Sequence, residues 1–189
     1  MNMYGSLLSP GINICKQKTL YCINEWMGWM VLYSIAVLEA QTGMVTALIR
    51  DGLVAEDRGD SVVITRGERL DLFEGAYDLF IVSEPNLKIH GDCPEISCRA
   101  LLAPGDAPPQ ALGGISSKWV VSYGLSGKDS ITVSSLERDT AVLALQRELM
   151  TLGEEVVERQ EIPVCVPDGL DSQGIMAVYG GLLIMGIMP

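Results

Sequence analysis

The run Gly174-Ile-Met-Ala-Val-Tyr-Gly-Gly-Leu-Leu-Ile-Met-Gly-Ile187 carries no charge and is apolar on every side. A helix that is hydrophobic all round has to be enclosed, by protein or by lipid. The wider stretch, Gly169 to Ile187, is diluted by five glycines and by Asp171, Ser172 and Gln173, and a spanning helix needs ~20 consecutive apolar residues. A buried core helix is therefore expected. The other apolar run, Trp26 to Leu38, is thirteen residues and is also too short to span. Lys16 and Lys18 precede it, but no small-x-small cleavage site follows cleanly, so neither a membrane segment nor a signal peptide is expected.

The 189 residues as a whole are 48% apolar and 20% charged, the composition of a globular chain. The net charge of −11 and pI near 4.4, without any basic cluster, exclude a nucleic-acid binder, which needs grouped Lys and Arg for phosphate. Five cysteines (Cys15, Cys22, Cys93, Cys98 and Cys165) are odd in number and widely spaced. They suit reduced thiols and a cytoplasmic setting rather than a disulfide framework. Residues 1–30 differ from the rest, with almost no acidic residues and no clear period, and are expected to be a poorly ordered tail or a start placed too far upstream. A single domain is expected over 31–189.

Within that domain, Val31 to Leu38 is rich in branched and aromatic residues, as a buried strand should be. Met44, Ala47, Leu48 and Leu53 have helical spacing, so a short helix is predicted over Met44 to Asp51, ended by Gly52. Strands are predicted at Ser61–Thr65, Tyr77–Ser83 and Trp119–Tyr123. Ile96 to Leu102 suits a strand or a helical turn, and Ala103 to Pro109 a loop. Ile131–Leu136, Ala141–Leu149 and Glu155–Val166 mix polar and apolar residues and read as an exposed antiparallel meander. The middle member also contains good helix formers. The fold class is α/β: a mainly parallel central sheet, an antiparallel meander edge and a packed C-terminal helix.

Four segments carry a resemblance: Val120-Val-Ser-Tyr-Gly124, Ile131-Thr-Val133, Ile162-Pro-Val-Cys-Val166 and Met176-Ala-Val-Tyr-Gly-Gly-Leu-Leu-Ile-Met-Gly186. In this order they resemble the late half of the ATP-binding central domain of Mur ligases, over about seventy residues. The resemblance implies a bacterial, cytoplasmic protein with that domain's fold. The family's Gly-x-x-Gly-Lys-Thr/Ser loop cradles phosphate with backbone N–H groups, while its lysine balances charge and its hydroxyl holds Mg²⁺. Here the equivalent place reads Glu39-Ala-Gln-Thr-Gly43-Met-Val-Thr46, with one glycine and no lysine. The section that carries the family's metal-binding Glu and His residues is contracted to roughly Gly67–Tyr77. The expected function is thus a non-catalytic binding or interaction module without ATP or Mg²⁺ as cofactor. A nucleotide-binding or amide-ligase-type enzyme with a variant phosphate site is the alternative.

Ligands of parallel α/β sheets sit beyond the strand C-termini. That rule places a candidate crevice along Gln41–Met44, Ser83–Asn86 and Tyr123–Lys128, with Thr42, Gly43, Glu84, Asn86, Gly124, Ser126 and Lys128 as candidate ligand-binding residues. Gly124 to Asp129 also reads simply as a hairpin-type turn. His90, Asp92, Cys93, Glu95 and Cys98 are close in sequence, but zinc sites usually match two ligand pairs and no second pair exists, so no metal is expected. His90 is the only histidine, which leaves Ser134-Ser135 without a base. Glu154, Glu155, Glu158 and Glu161 suit a solvated face or protection of a sheet edge. Gly180-Gly181 permits close backbone approach, which suits core packing, docking of a protein partner, or self-association into a homo-oligomer.

Overall fold

The computed structural model describes residues 20–21, 30–40, 42–83 and 95–189. Twelve strands and three α-helices occur among them: β1 (Leu20–Tyr21), β2 (Met30–Val31), β3 (Tyr33–Leu38), α1 (Met44–Ala55), β4 (Val62–Gly67), β5 (Gly75–Val82), β6 (Ile96–Pro104), α2 (Pro109–Leu112), β7 (Ile115–Tyr123), β8 (Ile131–Leu136), β9 (Thr140–Leu145), β10 (Leu149–Met150), β11 (Val156–Val157), β12 (Glu161–Cys165) and α3 (Ser172–Ile184). Eight strands form one sheet in the order β12-β9-β8-β7-β6-β5-β3-β4. From β4 to β8 all pairings are parallel, whereas β8, β9 and β12 pair antiparallel. The α/β class with a meander edge is as expected. β1 with β2, and β10 with β11, form two separate antiparallel pairs.

The branched runs explain the centre. Ile35, Val37, Leu79, Ile81, Leu102, Val121 and Tyr123 join one buried cluster with α1 and α3. A second cluster holds Ala36, Leu38, Phe73, Phe80, Val82, Leu101 and Ala103. Its rings meet edge to face, with Phe73 and Phe80 centroids 5.0 Å apart, the arrangement aromatic quadrupoles favour.

The C-terminal helix is enclosed as predicted. Asp171 caps it, accepting a hydrogen bond from the Gly174 amide at 2.8 Å, which satisfies one orphan donor of the first turn. Gly180 and Gly181 are turned inward. A Cβ on Gly180 would lie 2.9 Å from Ile131 Cδ1, and one on Gly181 would lie 2.8 Å from Ile81 Cδ1. The glycine pair brings α3 down onto the sheet, so both glycines serve core packing.

Several boundaries differ from expectation. Gly52 lies inside α1, which continues to Ala55. A Cβ at Gly52 would come within 2.9 Å of Leu182 Cδ2, so this glycine admits α3 rather than ending α1. Asp57, at φ 55°, closes the helix instead. Ala103 and Pro104 belong to β6, paired with Ser122 and Tyr123. The middle of the meander is strand as expected, but it ends at Leu145 rather than Leu149. The three strands proposed to frame the crevice lie in one parallel sheet, but β6 is inserted between β5 and β7.

Candidate functional site

The C-terminal ends of the parallel strands gather the groups of interest. Leu38 ends β3, and Glu39 follows with its amide donating to Gly67 O at 3.0 Å. The chain then turns into α1 through Gly43, which sits at φ 65° and has no side chain to cap the helix. The cap comes from four residues upstream. The Glu39 carboxylate accepts from the Val45 amide at 2.9 Å and the Thr46 amide at 3.3 Å. Glu39 is only 2% exposed. Arg66, from the neighbouring strand β4, donates to it through Nε at 3.0 Å and to Ala40 O through Nη2 at 2.8 Å. A Cβ on Gly43 would press against Arg66 Nε at 3.3 Å.

This arrangement follows from elementary electrostatics. The first turn of a helix leaves amides unpaired and carries partial positive charge, so it attracts an anion. Here the anion is a side chain of the same chain, with its charge answered by Arg66. Hydrogen bonds to a charged group contribute roughly 1.5–3 kcal/mol each.

The second part of the edge is the loop after β7. Asp129, 6% exposed, accepts from the Ser126 amide at 3.1 Å. Its carboxylate lies over two glycines: a Cβ on Gly105 would fall 1.8 Å from Asp129 Oδ1, and one on Gly124 would fall 2.6 Å from Oδ2. Ser126 Oγ accepts from the Lys128 amide at 3.3 Å, and Lys128 itself is exposed. Tyr123 Oη donates to Val82 O at 2.7 Å, tying the ends of β7 and β5 across β6. The loop is a self-contained turn leading into a strand, and no helix starts there.

Of the sequence candidates, Thr42 and Gly43 lie at the β3 end, and Gly124, Ser126 and Lys128 at the β7 end. Three strand spacings separate the two ends, roughly 14 Å, so they share an edge without forming one cluster. Glu84 and Asn86 lie outside the described residues, as do His90, Asp92 and Cys93. The residues sequence reasoning missed are Glu39, Arg66 and Gly105, while Asp129 was seen only as the end of a turn. A signal for Glu39 did exist: an acidic residue directly after a buried strand and just before a helix whose N-cap is glycine.

Other groups stay apart from this edge. Arg99 pairs with Asp78 at 3.4 Å, bonds Leu152 O at 2.9 Å and lies over the Trp119 ring; it anchors the turn before β11. Glu154, Glu155, Glu158 and Glu161 are exposed, and Glu161 stands on the outer strand β12 beside Pro163, both edge-protecting residues. Two cavities of about 270 and 210 Å³ open near the starts of β3 and β4, lined by Tyr33, Leu53, Arg58 and Val62 among others. They are at the opposite end of these strands from Glu39. No group of three or more metal-ligating side chains occurs among the described residues, and no helix among them is long and apolar enough to cross a membrane.

The two described cysteines are free thiols in contrasting settings: Cys98 is buried and Cys165 exposed. Burial pushes the Cys98 thiol up to about 12 from its ordinary 9.0. Iodoacetamide at neutral pH is expected to modify Cys165 and spare Cys98, since the thiolate is the nucleophile; peptide mass mapping reads both. The unfolded chain releases the Cys98 proton near pH 9 while the folded chain holds it to about 12. This group therefore lowers stability as pH rises through that window and has no such effect below it.

Compared with protein-family models, curated proteins and solved structures, the chain matches none.

Proposed function

We propose that this chain is a non-catalytic binding or interaction module, a degenerate relative of the Mur ligase central domain that has lost ATP-driven ligation. The observation that carries the reading is the occupied first turn of α1. In a phosphate-binding loop those amides face the nucleotide; here they face Glu39, buried and paired with Arg66. A nucleotide phosphate there would have to displace a covalently tethered carboxylate and then face its negative charge. Asp129 supports the same reading, because its carboxylate is engaged within its own loop and not offered to a metal–nucleotide pair. The acidic chain suits a cytoplasmic protein that binds a protein partner.

Calorimetric titration with ATP and with ADP, each in the presence of Mg²⁺, tests this. No binding heat is expected up to millimolar nucleotide. Mg²⁺-dependent binding in the micromolar range would defeat the proposal.

A further inference from the structure

We infer that the outer edge of β4 is a pairing surface for a second copy of this chain, the two β4 strands running antiparallel about a two-fold axis at Val63. The inference does not rest on the non-catalytic reading above.

The two ends of the sheet are built differently. An open strand edge is a template for pairing, and proteins blunt it with charges, proline or bulges. At one end β12 carries Glu161 and Pro163. At the other, β4 reads Val-Val-Ile-Thr-Arg-Gly and keeps an unbroken register with β3 over its whole length. It has neither proline nor bulge, and its one charged residue, Arg66, is drawn back onto Glu39 through Nε. Among the described residues no strand pairs with its outer side.

The backbone decides which positions can pair. Gly67 O accepts from the Glu39 amide, so Gly67 faces β3. Backbone groups alternate in direction along a strand, so those of Val62, Ile64 and Arg66 face outward. An antiparallel second copy must meet these even-numbered positions with its own. With Val63 opposite Val63, Val62 of each copy meets Ile64 of the other in a hydrogen-bonded pair. The same register carries Asp60, exposed in the turn before β4, towards Arg66 of the second copy, once on each side of the axis. Arg66 Nη1 has no partner among the described residues. The smallest slips that keep the outward groups matched bring like charges together instead. One sets Asp60 against Glu68, and the other sets Arg58 against Arg66. Charge complementarity therefore selects this register, and a two-fold axis makes the strand its own partner. Apolar surface is available to support the pairing. Val63 is exposed, and Val54 is exposed beside Val62 and Ile64 along a groove of about 210 Å³.

Sedimentation velocity of the full chain over a concentration series, read together with two kinds of variant, tests the inference. A single strand pair makes a small interface, so a reversible dimer of the 20.4 kDa chain with a micromolar dissociation constant is expected. Asp60→Arg sets two cations against each other at both ends of the pairing and is expected to weaken dimerisation by about tenfold or more. Asp60 lies outside the core, so the thermal midpoint of the dilute variant should match that of the unaltered chain. Val63→Cys places two thiols across a non-hydrogen-bonded pair, where Cα atoms stand about 4.5 Å apart, within disulfide reach. Mild oxidation is expected to link it as a dimer. Thr65→Cys would stand four residues from its own copy in this register, roughly 13 Å away, and should link no more than the unaltered chain with its own cysteines. A chain that stays monomeric into the hundreds of micromolar, a dimer that Asp60→Arg leaves unchanged, or equal linking at positions 63 and 65 overturns the inference. Should Asp60→Arg fail to fold, the two cysteine variants decide.

Discussion

A chain ended before Ser172 is expected to lose cooperative folding altogether. α3 buries Ile175, Met176, Val178, Leu182, Leu183 and Ile184, each at 4% exposure or less. At roughly 1.5–3 kcal/mol for each fully buried large apolar side chain, those six contribute on the order of 10 kcal/mol. A typical domain has about 5–15 kcal/mol of net stability, so the loss removes most or all of it. The damage extends to the sheet, since Ile81, Leu102 and Ile131, against which the Gly180-Gly181 pair packs, would face water. Thermal unfolding followed by circular dichroism, with amide proton dispersion as a second probe, checks the outcome. A sharp transition in the truncated chain would mean that α3 is an appended docking element and not part of the core.

The Gly105→Ala substitution is expected to destabilise the fold by about 2–3 kcal/mol, far more than the half-kilocalorie common at surface positions. Gly105 has an ordinary negative φ, so backbone strain is not the cause. The cost arises because the new methyl carbon would stand 1.8 Å from Asp129 Oδ1. Asp129 would have to withdraw, giving up the Ser126 amide and unmaking the turn that joins β7 to β8. Asp129→Ala placed in the same chain removes the collision, so the double variant should be more stable than Gly105→Ala alone. Urea unfolding of the four members of this cycle measures the coupling. Independent, additive effects would show that the two residues do not share that space.

How far the sequence foretold this fold varies by element, for identifiable reasons. β3, β5 and β7 were readable because a buried parallel strand is a short branched run, whatever its neighbours. The α1 boundary was not. Gly52 looks like a stop signal when only the chain around it is considered, yet its role is set by Leu182, which lies across the helix interface. β6 was ambiguous because its inward positions change phase: Ile96 and Cys98 pack in the aromatic cluster, and so do Leu101 and Ala103. The change occurs at Arg99, where the ladder pairs with Asp78 and Lys118 are missing although the register is the same on either side, and a strict period-two reading fails across such an interruption. At the site, the strand C-termini were located by the general rule for parallel sheets. Glu39 was not recognised because its partner, Arg66, is supplied by a strand 27 positions further on, and a single sequence does not reveal which strands become neighbours.

The junction between the parallel and antiparallel halves of the sheet is narrow. β7 and β8 share a single ladder pair, Tyr123 with Ile131, and a few turn hydrogen bonds such as Gly124 N to Ile131 O. α3 lies across it, touching β5, β6 and β7 on one side and β8 on the other, while Ile184 O receives the Leu152 amide. In mechanical terms the helix is a splint over a seam. A load that pulls the meander away from the parallel strands would bear first on α3 in shear, and only after the splint slipped would the seam itself part.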